Sequence, residues 1–125
     1  MTKPTIAILG ASTDRNKYGN KAVRAYRDKG YDVFPINPGA AEIEGLKAYS
    51  SLDEIPVDSL DRISVYVPPM VGIGLLEEIQ DADAEEVWLN PGSESPELLA
   101  RAEEIGLDGT LAFSIVVICA QPSAF

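Results

Sequence analysis

The sequence predicts an α/β fold in which a mostly parallel sheet of about five strands is covered by helices on both faces. Short apolar runs alternate with stretches of helical spacing along the 125-residue chain, and Gly, Pro or Asn marks most of the junctions. This alternation is typical of βαβ units with right-handed crossovers. Because no linker or internal repeat interrupts the pattern, we expect a single domain over residues 1–125.

The first predicted βαβ unit occupies the N-terminal part of the chain. Residues 5–9 form a continuous apolar run, as expected of a strand that is buried on both faces. After a polar loop, Asn20 can cap a helix over 20–29. A second strand follows over 31–36, where Pro35 lacks a backbone donor and therefore favours an early end or a place near the sheet edge.

The same alternation continues to the C-terminus. Residues 43–49 suggest a turn followed by a short extra strand, and 51–55 suggest one helical turn. The further predicted elements are a strand over 62–67, a helix over 70–80, a strand over 86–89 with Trp88 in the core, a helix to residue 105 capped by Ser95, and a last strand over 111–118.

Composition excludes several classes of function. The chain has no histidine, which removes a histidine-based triad, a histidine general base and a histidine-ligated zinc site. Its one cysteine, Cys119, allows no internal disulfide and is typical of a reducing compartment. No run approaches the apolar length of a membrane span. We therefore expect a cytoplasmic protein with no catalytic residue and no metal site.

The charge is strongly acidic but unevenly distributed. The net charge is −10, with seven basic and two acidic residues in 1–29 and three basic and 18 acidic residues in 30–125. Such an acidic balance argues against nucleic-acid and membrane partners. The basic N-terminal segment either recruits an anion or forms a solvated helix face, and the charge pattern alone does not choose.

Small, rigid or amide-bearing residues follow the predicted strands. In an open α/β sheet, ligands bind outside the carboxyl ends of the strands, so these residues are the candidate site. Backbone N–H groups there would suit phosphate, and prolines and apolar side chains would suit adenine. The candidates are Gly10, Ala11, Ser12 and Thr13 after the first strand, Asn37 and Pro38 after the second, Val67 and Pro68 at the third, and Asn90, Pro91 and Gly92 after the fourth.

Three residues of the first loop add charge and an aromatic ring to this site. Arg15 and Lys17 could neutralise phosphate, with a bidentate grip from the guanidinium and a point charge from the ammonium. Tyr18 either stacks on a base or packs at the start of the helix. Asp14 is expected to order the loop.

A standard NAD(P) site is disfavoured. Ser12 and Arg15 stand where the dinucleotide fingerprint has its second and third glycines, and Asn37 stands where an acidic residue would bind the ribose. Acidic pairs such as Glu77 and Glu78 are interpreted as solvated surface, so they supply no carboxylate dyad.

Several stretches resemble the small stand-alone CoA-binding proteins, which are similar to the CoA-binding domain of the succinyl-CoA synthetase α subunit. The most specific match is the Gly-Tyr-x-Val-x-Pro-x-Asn-Pro stretch at 30–38. Further matches are 6–12, 43–52, the strand end at 67–69 and 87–92, so the resemblance covers nearly the whole chain in order.

The resemblance implies a Rossmann-like three-layer α/β/α domain that binds coenzyme A. By this resemblance Gly10, Ala11 and Ser12 would hold the pyrophosphate. The other roles that it implies are nucleotide contact for Asn37 and Pro38, the adenine side for Val67 and Pro68, and the pantetheine path for Asn90, Pro91 and Gly92. The chain departs from many members at Phe113-Ser114, where they carry Arg-Cys. Ligase activity is not implied, because the synthetase's catalytic histidine lies in a second domain.

The sequence therefore favours a protein that binds coenzyme A, or a related adenine nucleotide, without catalysis of its own. One alternative is a small nucleotide-dependent enzyme, either an NAD(P)-linked reductase or an acyl-CoA-handling activity. Another is an interaction domain that kept the fold without a ligand. Sheets of this kind often pair as homodimers, but the sequence does not identify the surface.

Overall fold

A five-stranded parallel sheet organises the fold. The computed structural model describes residues 3–57, 60–90, 92–107 and 110–111, the last two by their backbone alone. The strands of the main sheet are β1 (Thr5–Leu9), β2 (Asp32–Ile36), β5 (Arg62–Val65), β6 (Glu86–Leu89) and β7 (Thr110–Leu111). Their order is β2-β1-β5-β6-β7, and each neighbouring pair is parallel. The predicted α/β class is therefore confirmed.

Helices cover both faces of this sheet. They are α1 (Tyr18–Asp28), α2 (Pro69–Ile73), α3 (Leu76–Asp81) and α4 (Pro96–Glu104). Side chains of β1 alternate between the faces: Ile6 and Ile8 join the cluster around α1, whereas Ala7 and Leu9 join the cluster that includes α3 and α4. This alternation follows from the pleat of a strand. As a result, β1 contributes side chains to the apolar core on each face of the sheet.

Two small elements lie between β2 and β5. An antiparallel hairpin is formed by β3 (Glu42–Ile43) and β4 (Leu46–Lys47), and a 3₁₀ turn covers Leu52–Glu54. The extra strand and the helical turn predicted for this region are thus confirmed. The edge position that Pro35 suggested for β2 is also confirmed, since β2 stands at one end of the strand order of the main sheet. Its outer side is met by Tyr49, whose N–H donates to the Pro35 carbonyl at 2.9 Å.

The predicted start of the first helix is wrong. Helix α1 begins at Tyr18 with Lys17 at the N-cap, and Asn20 lies inside the helix with no exposed surface. The Asn20 amide donates to the Ser12 carbonyl at 2.9 Å and to the Glu44 carboxylate at 3.2 Å. Asn20 therefore joins three segments instead of capping a helix.

The single helix predicted over 70–80 is two helices. Helix α2 ends at Ile73, with Gly74 as its C-cap, and α3 begins at Leu76. A Cβ on Gly72 would lie 3.0 Å from Leu98 Cδ1, so this glycine lets α2 pack closely against α4. Glycine is also a poor helix former, which favours the break.

Trp88 is less buried than predicted. It is half-buried on the face of β6 opposite Val87 and Leu89, and its indole Nε1–H donates to Glu86 at 3.1 Å. The Arg62 guanidinium lies 5.3 Å from its ring centroid. The tryptophan thus packs against a charged pair and is not part of the apolar core.

Two predictions near the C-terminus reach beyond the described residues. Of the last predicted strand, over 111–118, only Leu111 is described, and it belongs to β7, which pairs with β6. Cys119 lies outside the described part of the chain. Among the described residues, no helix has the length and apolar character needed to cross a membrane.

Candidate functional site

A cleft of about 540 Å³ opens where β1 meets its two neighbours. Strand β2 lies on one side of β1, and β5 lies on the other. The chain thus crosses from β1 to β2 in one direction and then returns past β1 to β5, so the strand order reverses at this point. In open α/β sheets this reversal leaves a crevice at the carboxyl ends of the strands. Residues that follow all three strands line the cleft: Gly10, Ala11 and Ser12 after β1, Asn37 and Pro38 after β2, and Tyr66, Val67 and Pro68 after β5.

Gly10 brings the loop after β1 close to the backbone that follows β5. Its φ is +92°, in the left-handed region that favours glycine. A Cβ at this position would lie 2.9 Å from Tyr66 C and from Val67 N. The backbone after β1 is therefore held against β5 and presents no side chain to the cleft.

Gly19 brings the start of α1 against the same loop. A Cβ on Gly19 would lie 2.3 Å from the Gly10 carbonyl oxygen, so no larger residue fits without a shift. Close helix–strand packing is the role of the third glycine in a dinucleotide fingerprint. The sequence interpretation placed that glycine at position 15 and missed that Gly19 supplies the contact from the first turn of the helix.

The first loop is ordered by its own side chains, as predicted for Asp14. The Ser12 hydroxyl accepts from Asp14 N at 3.0 Å, and the Asp14 carboxylate accepts from Asn16 N at 3.0 Å. Thr13 is exposed and does not line the cleft. These local bonds hold the backbone of the loop in one conformation.

The start of α1 makes this end of the cleft electropositive. The 11-residue helix has no side-chain cap at its N-terminus and no acidic residue in its first turn. The N-terminal end of a helix carries a partial positive charge and unpaired N–H groups. Lys17 is exposed, lines the cleft and adds a full charge. This combination favours an anion such as phosphate.

A second depression of about 260 Å³ extends from the same point in another direction. It shares Gly10, Lys17, Tyr66 and Pro68 with the cleft. Its remaining walls are Tyr18, Gly19, Gly92 and Ser93. The loop over 10–17, which leads into the start of α1 and is called the electropositive loop below, therefore lies between two concave surfaces. One of them extends towards β2 and the other towards the end of β6.

Asn37 lines the cleft, but its amide is engaged with the backbone. Nδ2 donates to the Ala11 carbonyl at 2.9 Å, and Oδ1 accepts from Gly39 N at 2.8 Å. The side chain thereby connects the loop after β1 to the turn after β2. We assign it to holding the two loops together.

Asn90 is fully buried and does not line either depression. Its Nδ2 donates to Ser64 Oγ at 2.8 Å and to the Val65 carbonyl at 2.9 Å. These bonds fix the end of β6 against β5. Pro91 lies outside the described residues, and Gly92 lines the second depression.

The arginines of the N-terminal segment anchor the loop and the hairpin. Arg24 is half-buried and donates to Asn20 Oδ1 and to the Arg15 carbonyl, both at 2.7 Å. Arg27 donates to the Glu44 carbonyl. Arg15 pairs with Glu44 at 3.6 Å and does not line the cleft. Of the predicted cations, the structure brings only Lys17 to the cleft.

Sequence reasoning missed the outer wall of the cleft. Helix α2 and the segment up to α3 contribute Val71, Leu75 and Glu78, and the segment before the 3₁₀ turn contributes Ser50 and Ser51. Glu78 was interpreted as solvated surface. The apolar spacing of the helix does not reveal this wall, because the break between α2 and α3 turns these residues towards the cleft.

Among the described residues, no group of three or more Asp, Glu or Cys side chains is arranged to hold a metal ion. The strand order and the cleft at its switch point define the molecule as a Rossmann-like α/β domain with a ligand-sized crevice. The electropositive end of this crevice is formed mainly by backbone.

The chain belongs to the CoA binding domain family, whose model matches residues 4–120. It is 33% identical over 105 residues to the uncharacterised protein YneT of Bacillus subtilis, covering 81% of this chain and 74% of that protein. A conserved hypothetical protein from Pyrococcus furiosus has a similar solved structure, with a TM-score of 0.77 and 37% identity over 88% of this chain and 93% of that one. The predicted family is therefore confirmed.

Part of a larger enzyme is also similar. Over 74 residues the chain is 35% identical to the ADP-forming acetate–CoA ligase of Methanocaldococcus jannaschii. The match covers 59% of this chain and 10% of the ligase. The similarity thus concerns one small segment of that enzyme.

Proposed function

We propose that the cleft binds coenzyme A, with the diphosphate at the loop after β1. One observation carries this proposal: the start of α1, which has no side-chain cap, packs against Gly10, and Lys17 adds a positive charge there. Both residues line each of the two depressions. Coenzyme A has a dianionic diphosphate at its centre, with an adenosine on one side and a pantetheine chain on the other. The site likewise has an electropositive centre between two depressions of different size. Membership of the CoA binding domain family supports the same ligand.

The two depressions suit the two arms differently. The larger cleft contains apolar Val67, Pro68 and Val71 together with the turn after β2, which suits an adenosine. The smaller one runs past Gly92 and Ser93 and suits a narrow pantetheine chain. In this arrangement Ala11 and Ser12 contact the diphosphate through their backbone, and Tyr18 borders the pantetheine.

We propose a cytoplasmic binding role without catalysis of its own. The absence of histidine from the sequence supports this, since the commonest general base is missing. NAD(P) is disfavoured because the residue after β2 is Asn37, whose amide already bonds to Ala11 and Gly39. A carboxylate at this place would be needed for the usual ribose contact.

Calorimetric titration with coenzyme A, ADP, NAD and NADP tests the proposal. Coenzyme A should bind with the highest affinity, and Lys17→Gln should weaken it about tenfold, because a charge-assisted bond to phosphate is lost. The matched control is Lys29→Gln, which removes the same charge at the far end of α1 and should leave the affinity unchanged. Absence of heat at millimolar coenzyme A would reject the proposed function.

A further inference from the structure

One carboxylate stands in the outer wall of the cleft, on α3 and away from the electropositive loop. Glu78 is half-buried, and its Oε1 accepts from Leu52 N at 2.7 Å. This bond joins α3 to the 3₁₀ turn and fixes the orientation of the carboxylate. Within the described residues no group donates to Oε2, so a hydrogen-bond acceptor is left beside the cleft that Glu78 lines.

The surroundings of Glu78 suit a flat heterocycle. Val67, Val71 and Leu75 line the same cleft as Glu78 and offer apolar contact to the faces of a ring. Lys17 belongs to the electropositive loop, where the second depression also begins. Phosphate is disfavoured beside Glu78, because like charges repel. A neutral ring with a donor on its edge fits both the apolar walls and the carboxylate.

The order of the strand ends indicates where the base of a bound nucleotide would lie. A nucleotide whose diphosphate lies at Gly10 has its ribose near the end of β2, at Asn37 and Pro38. From there a base would extend along the cleft, whose outer wall is formed by α2, α3 and the segment between them. An ionised carboxylate can only accept hydrogen bonds, and adenine presents its 6-amino group as a donor where 6-oxo purines present an acceptor oxygen.

We propose that Glu78 selects the base, by accepting a hydrogen bond from the 6-amino group of adenine through Oε2. A 6-oxo purine in the same orientation places an oxygen against the carboxylate and leaves both acceptors without a donor. Glu78 is therefore a specificity-determining residue of the cleft. This inference rests on the proposed function, since it requires an adenine-containing ligand.

The test compares coenzyme A with its 6-oxo analogue, in which the adenine is replaced by hypoxanthine. Calorimetry on the wild-type protein should give at least about tenfold tighter binding of coenzyme A, because a bond to a charged acceptor is exchanged for repulsion. Glu78→Gln should reduce this ratio to about twofold or less, since an amide can donate to the 6-oxo group. The amide oxygen that Glu78→Gln introduces can still accept from Leu52 N, which preserves the wall.

The matched control is Glu77→Gln, which removes the same charge one residue earlier. Glu77 is exposed and pairs with Arg101 at 2.8 Å, so this variant should keep the wild-type ratio. Equal binding of both ligands by the wild-type protein overturns the inference, whether or not Glu78→Gln folds. An unchanged ratio in Glu78→Gln, or an equal loss of both ligands, also overturns it. Failure of the wild-type protein to bind coenzyme A at all would instead reject the proposed function.

Discussion

Gly10 combines two constraints that exclude any side chain. Its φ of +92° is strained for other residues, and a Cβ would meet the backbone of Tyr66 and Val67 at 2.9 Å. Backbone atoms cannot move away without disturbing the β1–β5 pairing. The close approach of Gly10 to β5 therefore contributes both to the shape of the cleft and to the stability of the fold. A substitution at this position affects both properties.

Gly10→Ala should lower the free energy of unfolding by about 2–4 kcal/mol, from backbone strain and overpacking together. The matched control is Gly30→Ala, where φ is +88° but nothing lies within 4 Å of the added Cβ. The control should cost only about 1 kcal/mol, from strain alone. Urea denaturation of the two variants measures the difference, and equal losses would contradict the close approach of Gly10 to β5.

Asn20 shows how one buried side chain links three elements. It lies in α1 and donates both to the loop after β1, at Ser12, and to the β3–β4 hairpin, at Glu44. Its oxygen accepts from Arg24. The loop at the cleft is thus anchored both to α1 and to the hairpin, and the hairpin contributes no residue to either depression.

Asn20→Ala should loosen the loop over 10–17. Removal of the amide leaves the Ser12 carbonyl, the Glu44 carboxylate and the Arg24 guanidinium without one partner each, at a cost of about 1–3 kcal/mol. Hydrogen exchange of the backbone amides should become faster in this loop and in the hairpin. Asn16→Ala, which changes an exposed side chain of the same loop, is the control. Unchanged protection in Asn20→Ala would exclude the anchoring role.

The strands were predictable because a continuous apolar run of five or six residues indicates a strand that is buried on both faces. The same holds for α4, whose start at Ser95-Pro96 is an N-cap signal, and the Ser95 hydroxyl accepts from Leu98 N at 3.1 Å. The start of α1 was missed because Asn20 satisfies the preference for a capping residue in sequence. The close packing of Gly19 against Gly10, which accompanies the earlier start of the helix, depends on the tertiary structure and not on a local capping signal.

The site residues that follow the strands were predictable from the sequence, whereas the site residues that the helices contribute were not. Residues after each strand converge by topology, which explains why Gly10, Pro38 and Pro68 meet. Glu78 and Val71 come from helices whose orientation depends on the break at Gly74. No local pattern in the sequence specifies that orientation, since it results from packing against α4.

A charged pair contributes to the pH dependence of the stability of the whole protein. Arg62 donates to Glu86 at 2.7 Å, and the indole of Trp88 donates to the same carboxylate oxygen. The hydrogen bond from Trp88, and then Arg62, lower the pKa of Glu86. A lowered folded-state pKa means that this stabilisation is present above the unfolded value of about 4.3 and is lost as pH falls through the folded-state value.

Glu86→Gln should therefore lose less stability on acidification than the wild-type protein. Urea midpoints between pH 7 and pH 3 measure this dependence. Glu85→Gln removes the same charge from an exposed neighbour outside the Arg62 pair and should follow the wild-type curve. If Glu86→Gln and wild type lost stability in parallel below pH ~4.3, the pair would not be a source of acid sensitivity.

The proposed site binds the diphosphate of coenzyme A at the loop after β1 and the start of α1, and the other site assignments depend on this placement. An amide chemical-shift titration with coenzyme A tests this most directly, because each backbone N–H reports its own environment. We expect saturable shifts that are largest at Gly10, Ala11, Ser12 and the first turn of α1, with smaller shifts at Asn37 and Val67. Shifts confined to the arginine surface of Arg15, Arg24 and Arg27, or no saturable shift at millimolar ligand, would contradict it.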